Sequence, residues 1–134
     1  MSKDNQPPIE ETINSLRLNP EGLIPAIAQQ HDTGEVLMMA WMNREAITAT
    51  FEEERVVYWS RSRQTLWRKG ETSGQIQYLK EIRWDCDGDT LLLQVDQIGV
   101  ACHTGQRSCF FTAIRKGKIK AISTAEIDPN KLYE

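Results

Sequence analysis

The sequence predicts an α+β fold that is predominantly β, with short antiparallel strands and hairpins packed against one or two helices. Three observations predict it. The apolar residues fall mostly in short runs bounded by Gly, Pro, Asn or Asp turn signals. Few segments repeat apolar residues at helical spacing. No internal repeat or low-complexity segment interrupts the pattern. With 134 residues, 40% apolar and 26% charged, the chain has the size and composition of a single globular domain.

The elements follow in chain order. Residues 1–8 are polar, end in Pro7-Pro8 and read as a loose arm. Residues 9–18 carry Ile9, Ile13 and Leu16 at helical spacing, and Pro20 stops that helix. Residues 23–30 read as a strand with Pro25 near its start or on an edge. The turn His31-Asp32-Thr33-Gly34 leads into a second strand, so 23–42 form a hairpin. Asn43 caps a helix over 44–54, with Ala46, Ile47, Thr50 and Phe51 facing inward and Glu52, Glu53 and Glu54 outward. Residues 56–60 form a short strand. A basic and aromatic run, 61–69, and a loop, 70–74, come next. Residues 76–86 alternate, with Ile76, Tyr78, Lys80, Ile82 and Trp84 on one side. Asp87-Gly88 turns the chain into a return strand at 90–97. After the loop 98–108, a last hairpin pairs 109–115 with 119–122 around Lys116-Gly117, and the tail 123–134 is polar.

The net charge of −3 argues against a nucleic-acid module. No apolar run approaches the length of a membrane span, and Met1-Ser2-Lys3-Asp4-Asn5 leads into no signal-like segment, so a cytoplasmic location is expected. The three cysteines cannot all pair within one chain. In a reducing compartment they read as thiolates for metal or catalysis before they read as a disulfide framework.

The chemistry concentrates between Asp85 and Phe111. Cys86, Cys102 and Cys109 all lie there, with His103, and Asp85, Asp87 and Asp89 bracket Cys86. No C-x-x-C pair occurs, so an ordinary zinc ribbon is not expected. Three protein ligands with an open position are the pattern of a catalytic zinc. Packing cysteines, common in cores, are the alternative, but the polar, glycine-rich loop around Cys102 and Cys109 suits them poorly. The spacing leaves open whether the three converge within a chain or between two. In an extended strand Asp85 and Asp89 would stand about 13 Å apart, so one ion holds all three aspartates only if the backbone bends, as Gly88 allows. Hard oxygen ligands of this kind suit Mg²⁺. The plainer reading is an Asp-Gly hairpin turn with solvated carboxylates. Adjacent residues of an extended loop point apart, so His103 reads as an acid–base group beside a metal rather than a joint ligand with Cys102. His31, in a turn, reads as solvated.

The run 61–69 sets Arg61, Arg63, Arg68 and Lys69 near Trp59 and Trp67. Arginine forks bind phosphate and tryptophan faces stack on bases. In the loop 70–74, backbone amides and the Thr72 and Ser73 hydroxyls form a candidate anion cradle. A solvated strand with snorkelling arginines is the alternative.

The segments W-D-C-D-G-D-T-L-L-L-Q-V, Q-I-G-V-A-C-H-T-G-Q-R-S-C-F-F and W-R-K-G-E-T-S-G together resemble the phosphoribosyl-AMP cyclohydrolase family of histidine biosynthesis. The resemblance runs from about Leu23 to Ile122 and includes W-M-N at 41–43 and Y-W-S-R-S-R at 58–63. It implies an intertwined β-rich homodimer with two active sites spanning the interface, and a stand-alone form without a fused pyrophosphohydrolase domain. It implies one Zn²⁺ per subunit on Cys102, Cys109 and a Cys86 donated by the partner subunit. Asp85, Asp87 and Asp89 would hold Mg²⁺, and His103 would be the catalytic acid–base group. The substrate would be a small nucleotide, 1-(5-phosphoribosyl)-AMP, with Arg61, Arg63, Trp67, Lys69, Thr72 and Ser73 around its phosphates. The adenine ring would open hydrolytically at N1–C6. Neither nucleic acid nor membrane is an expected partner.

Two readings from other classes compete. A structural-zinc module using Trp59, Trp67 and the arginines would bind RNA in a salt-sensitive way. A zinc deaminase would release ammonia, but the H-x-E and P-C-x-x-C motifs of that class do not occur.

Overall fold

A computed structural model describes residues 9–132 of the chain. The expected arm at 1–8 and the last two residues of the expected tail lie outside the described residues. The elements run α1 (Ile9–Ser15), β1 (Ile24–Gln30), β2 (Val36–Met42), α2 (Arg44–Glu53), β3 (Val57–Ser60), β4 (Thr65–Arg68), β5 (Gln77–Trp84), β6 (Leu91–Gln97), β7 (Thr112–Arg115) and β8 (Lys118–Ala121). Among the described residues, two α-helices and a short 3-10 turn at Pro129–Lys131 against eight strands make an α+β fold that is mostly β, as the sequence predicts. No helix among these residues is long and apolar enough to cross a membrane.

Four strands form the main sheet in the order β2-β1-β6-β5, while β3–β4 and β7–β8 form separate two-stranded hairpins. β1 pairs antiparallel with β2, and β5 with β6, each through the hairpin its turn residues predict. At the centre β1 and β6 pair in parallel, with Ala26 opposite Leu91 and Ala28 opposite Leu93. Local turn signals carry no trace of that pairing, because the two strands are joined through α2 and four intervening strands. What selects it is burial. Ile24, Ala26 and Ala28 of β1 and Leu91, Leu93 and Val95 of β6 enter one core with Ile13 and Leu16 from the α1 segment and Ala46 and Ile47 of α2. Each large aliphatic side chain withdrawn from water there contributes about 1.5–3 kcal/mol.

The helix α2 begins where Asn43 Oδ1 accepts a hydrogen bond from the Ala46 amide at 2.8 Å. Its inner face buries Ala46, Ile47 and Thr50. The Thr50 hydroxyl accepts from Val57 N at 2.9 Å and donates to Val57 O at 3.1 Å, tying the helix to β3. Phe51 is only partly buried on that face.

Two local features differ from the sequence reading. Residues 65–68, inside the basic and aromatic run, form β4, paired with β3 so that Tyr58 faces Trp67 and Ser60 faces Thr65. The adjacent Leu66 and Trp67 and the interspersed arginines hide the alternation that marks a strand. In β5 the register shifts between Leu79 and Glu81. This bulge moves the inward set from Gln77 and Leu79 to Ile82, leaving Tyr78 and Trp84 exposed, so the single phase expected over 76–86 is broken. The polar tail folds back as well. The amides of Glu126 and Ile127 reach the carbonyl of Gly105, and Leu132 is buried.

Candidate active site

The loop between β6 and β7 carries two of the three cysteines. Its shape comes from backbone bonds: Ala101 N donates to Arg107 O (2.9 Å), Cys102 N to Gln106 O (3.1 Å) and Gly105 N to Cys102 O (3.0 Å). His103 and Thr104 therefore sit at the tip of a tight turn, with His103 exposed. Gly105 has φ 86, and a Cβ there would fall 1.8 Å from Ile127 O, so only glycine lets the tail close on this loop.

Arg107 staples the loop to the sheet. Its guanidinium donates to Gln97 O (2.9 Å), Gly99 O (2.7 Å) and Gln30 Oε1 (3.0 Å). Beneath it runs a buried polar chain. Tyr58 OH donates to Gln77 Oε1 (2.7 Å), Gln77 Nε2 to Gln97 Oε1 (2.8 Å), and Gln97 N to Gln30 Oε1 (2.9 Å). Among the described residues no buried side-chain polar atom lacks a partner, so the network is closed and stiff. Sequence reasoning missed it, because Gln77 and Gln97 come together only through the pairing of β5 with β6.

This frame brings Cys102 and Cys109 together. Cys102 is buried, and its sulfur accepts from Thr104 Oγ1 at 3.0 Å. Cys109 is anchored by its amide to Leu37 O at 2.7 Å. Its thiol is pushed up to about 12, first by desolvation, then by the charge and hydrogen bond of Cys102, with Lys69 opposing. Two adjacent thiols that resist joint ionisation are what a soft divalent cation resolves, since zinc binds thiolates. The donor set fits zinc, but it is short of a third ligand. Cys86 lies exposed on the β5–β6 turn and joins no metal-sized cluster with the other two among the described residues.

On that turn Asp85, Asp87 and Asp89 offer carboxylate oxygens within 4.8 Å of one another. The bend comes from Gly88, at φ 70, with its amide bonded to Asp85 O at 3.0 Å. The Asp89 amide donates to Asp85 Oδ1 at 3.0 Å. Desolvation raises the Asp85 carboxyl, but hydrogen bonds from Asp89, from the Thr90 backbone and from the Gly88 backbone together hold it low. Asp89 is pushed up, first by its hydrogen bond with Asp85, then by desolvation and by the charges of Asp85 and Asp87. Carboxylates crowded in this way fit a hard cation, which relieves their repulsion.

The basic run lines two neighbouring clefts. One, of about 590 Å³, is walled by Trp41, Trp59, Arg61, Arg63 and Trp67 among others, with the Arg61 guanidinium 5.0 Å from the Trp41 ring centroid. The other, of about 410 Å³, gathers Arg63, Trp67, Lys69, Gly70, Thr72 and Ser73. Arg63 and Trp67 border both. Arg61 and Arg63 are exposed and Lys69 is buried. Arg68, also in the run, is engaged elsewhere, donating to both carboxylate oxygens of Glu53.

A pair of thiols, a carboxylate cluster and a cationic, aromatic cleft are thus the chemically equipped features of the described residues. The sequence profile of phosphoribosyl-AMP cyclohydrolase matches residues 38–111. Among curated proteins, the phosphoribosyl-AMP cyclohydrolase of Rhodospirillum centenum is 63% identical over 125 residues, covering 93% of this chain and 94% of its own. That of Alkalilimnicola ehrlichii is 63% identical over 89% of this chain and 84% of its own, and that of Granulibacter bethesdensis 60% over 93% and 98%. These matches make the chain an enzyme of the hydrolase class. It belongs to the phosphoribosyl-AMP cyclohydrolase family.

Proposed function

We propose that the protein opens the adenine ring of 1-(5-phosphoribosyl)-AMP by zinc-dependent hydrolysis, a step of histidine biosynthesis in the cytoplasm. Family membership supports the reaction. The single structural observation that carries the mechanism is the half-built thiol site, two cysteines together and the third apart.

In this reading the protein is a homodimer, and Cys86 of each subunit completes the Cys102–Cys109 pair of the other. The two-fold symmetry of a dimer then makes two identical sites. When bound, zinc lowers the pKa of a water molecule and so supplies a nucleophile at neutral pH.

The chain's own residues do the rest. Water adds at C6, made electron-poor by the phosphoribosyl group on N1. The N1–C6 bond breaks, the oxygen stays on C6 as the carboxamide, and N1 leaves as the formimino nitrogen after taking up a proton. His103, exposed at the tip of the turn beside Cys102, gives or takes that proton. Asp85, Asp87 and Asp89 hold Mg²⁺. Arg61 and Arg63, with the Thr72 and Ser73 hydroxyls, grip the two phosphates, and Trp67 stands where the clefts meet. Lys69 lines the same cleft as the Thr72 and Ser73 hydroxyls and adds its charge to that grip. The chain functions as one catalytic domain.

The test is the ultraviolet spectrum of phosphoribosyl-AMP mixed with purified protein, with ammonia assayed alongside. Ring opening that stops when a chelator strips zinc, returns with zinc, and releases no ammonia is the expected result. No reaction with both metals restored would overturn the assignment, and ammonia release would point to a deaminase.

A further inference from the structure

Trp41 and Arg61 come from different sheets. Trp41 lies on β2, an edge strand of the main sheet, opposite Pro25 of β1. Arg61 lies in the turn that joins β3 to β4 in the separate hairpin. The Arg61 guanidinium nevertheless stands over the Trp41 ring, 5.0 Å from its centroid, and both residues wall the cleft of about 590 Å³. Trp41 is half-buried, and Arg61 is exposed.

The turn fixes the backbone from which Arg61 reaches out. Gln64 N donates to Ser60 O at 2.8 Å, and Gln64 Nε2 folds back to donate to Arg61 O at 2.7 Å. Gln64 takes φ 54, a left-handed conformation that a residue other than glycine keeps only where its surroundings impose it. Arg63 N donates to Ser60 Oγ at 3.2 Å. What remains to be ordered is the long Arg61 side chain. An arginine that grips a ligand loses rotamer freedom as it does so. A ring face beneath the guanidinium removes part of that freedom in advance. It engages the cation's charge without using any of its N–H donors, which stay available to phosphate oxygens. Arg68 is the contrast in the same run: it gives its donors to Glu53, whereas Arg61 forms no salt bridge among the described residues.

We propose that Trp41 is a positioning residue for substrate binding, its ring holding the Arg61 guanidinium in place at the cleft so that Arg61 meets a substrate phosphate already ordered. This inference rests on the phosphate role of Arg61 given above. It assigns Trp41 no contact with the substrate itself.

The experiment is a double-mutant cycle in the full-length, metal-loaded protein, with wild type, Trp41→Leu, Arg61→Met and the double variant compared for KM and kcat on phosphoribosyl-AMP. A cation over a ring at an exposed site is worth about a 2–5-fold change in affinity, and Trp41→Leu should raise KM by that factor while keeping kcat and zinc content. In the Arg61→Met background the same substitution should add nothing, because two residues that act through one contact are not additive. Trp41→Phe, which keeps a ring face, should recover part of the loss. If Trp41→Leu lacks the wild-type circular dichroism spectrum, Trp41→Met takes its place in the cycle. An Arg61→Met protein with raised KM beside a Trp41→Leu protein with wild-type KM would overturn the inference and leave the phosphate reading of Arg61 intact. Effects that multiply in the double variant would make Trp41 a direct substrate contact and overturn it as well. A wild-type KM in Arg61→Met would overturn the phosphate role of Arg61 and the inference with it.

Discussion

At the residue scale the proposed zinc site turns on Cys109. Its thiol is protonated through the neutral range, because desolvation and Cys102 push it up to about 12. Metal binds the thiolate, so loading the centre must expel protons. The sign follows directly: raising the pH towards about 12 lowers the cost of removing the proton, so zinc affinity should climb with pH. Chelator competition at several pH values checks this, and an affinity that is flat between pH 6 and pH 9, or falls, would contradict it. Arg63 gives a second prediction at this scale, since it borders both clefts. Losing one charge-assisted hydrogen bond costs about 1.5–3 kcal/mol, so Arg63→Ala should raise KM by roughly 10–100-fold and leave zinc content unchanged. Steady-state kinetics with metal analysis would show it. The residue types to which the chemistry is assigned here were singled out from the sequence. How they sit was not: the β6–β7 loop is shaped by turn bonds at 101–107, which leave no motif.

At the scale of elements, the β6–β7 loop is held from two sides, by Arg107 on the sheet and by the tail on Gly105. Gly105→Ala places a methyl group on the Ile127 carbonyl and a side chain at a positive φ. It should lower the melting temperature and weaken zinc binding together, because the same turn orients Cys102. A variant that melts lower while binding zinc normally would separate the tail from the site. Asn43→Ala is the contrasting case. Removal of the cap bond to Ala46 should cost about 1 kcal/mol in denaturant unfolding and leave zinc content unchanged, since the cap bond holds α2 and not the β6–β7 loop. Hairpins, caps and turns were readable because each depends on neighbouring residues. The strand β4, the bulge in β5 and the parallel β1–β6 pair escaped, because burial and long-range pairing decide them.

At the scale of the whole molecule, the proposed dimer would draw on both a surface and the thiol site. Ile114 and Ile119 face each other across β7–β8 at 76% and 78% exposure, on a hairpin that begins just after Cys109. On the main sheet Ile27, Met39 and Leu92 lie in one row, with Met39 43% exposed. The proposed dimer covers such surfaces, as exposed apolar patches usually have an occupant. Replacing both hairpin isoleucines, Ile114→Asp with Ile119→Asp, should shift sedimentation from dimer to monomer and reduce zinc content with it. An unshifted dimer would take the hairpin out of the interface.

The central claim is that one chain holds only part of the thiol site, and subunit mixing tests it most directly. Cys86→Ala and Cys102→Ala proteins are each expected to be inactive. Unfolded and refolded together, they should form heterodimers in which one of the two sites is intact, with about half the activity of a wild-type dimer. Recovered ring opening with zinc bound at about one ion per heterodimer is the predicted result. A mixture that stays inactive and metal-free, while wild-type protein treated in the same way regains activity, would contradict the shared site and require Cys86 to act within its own chain.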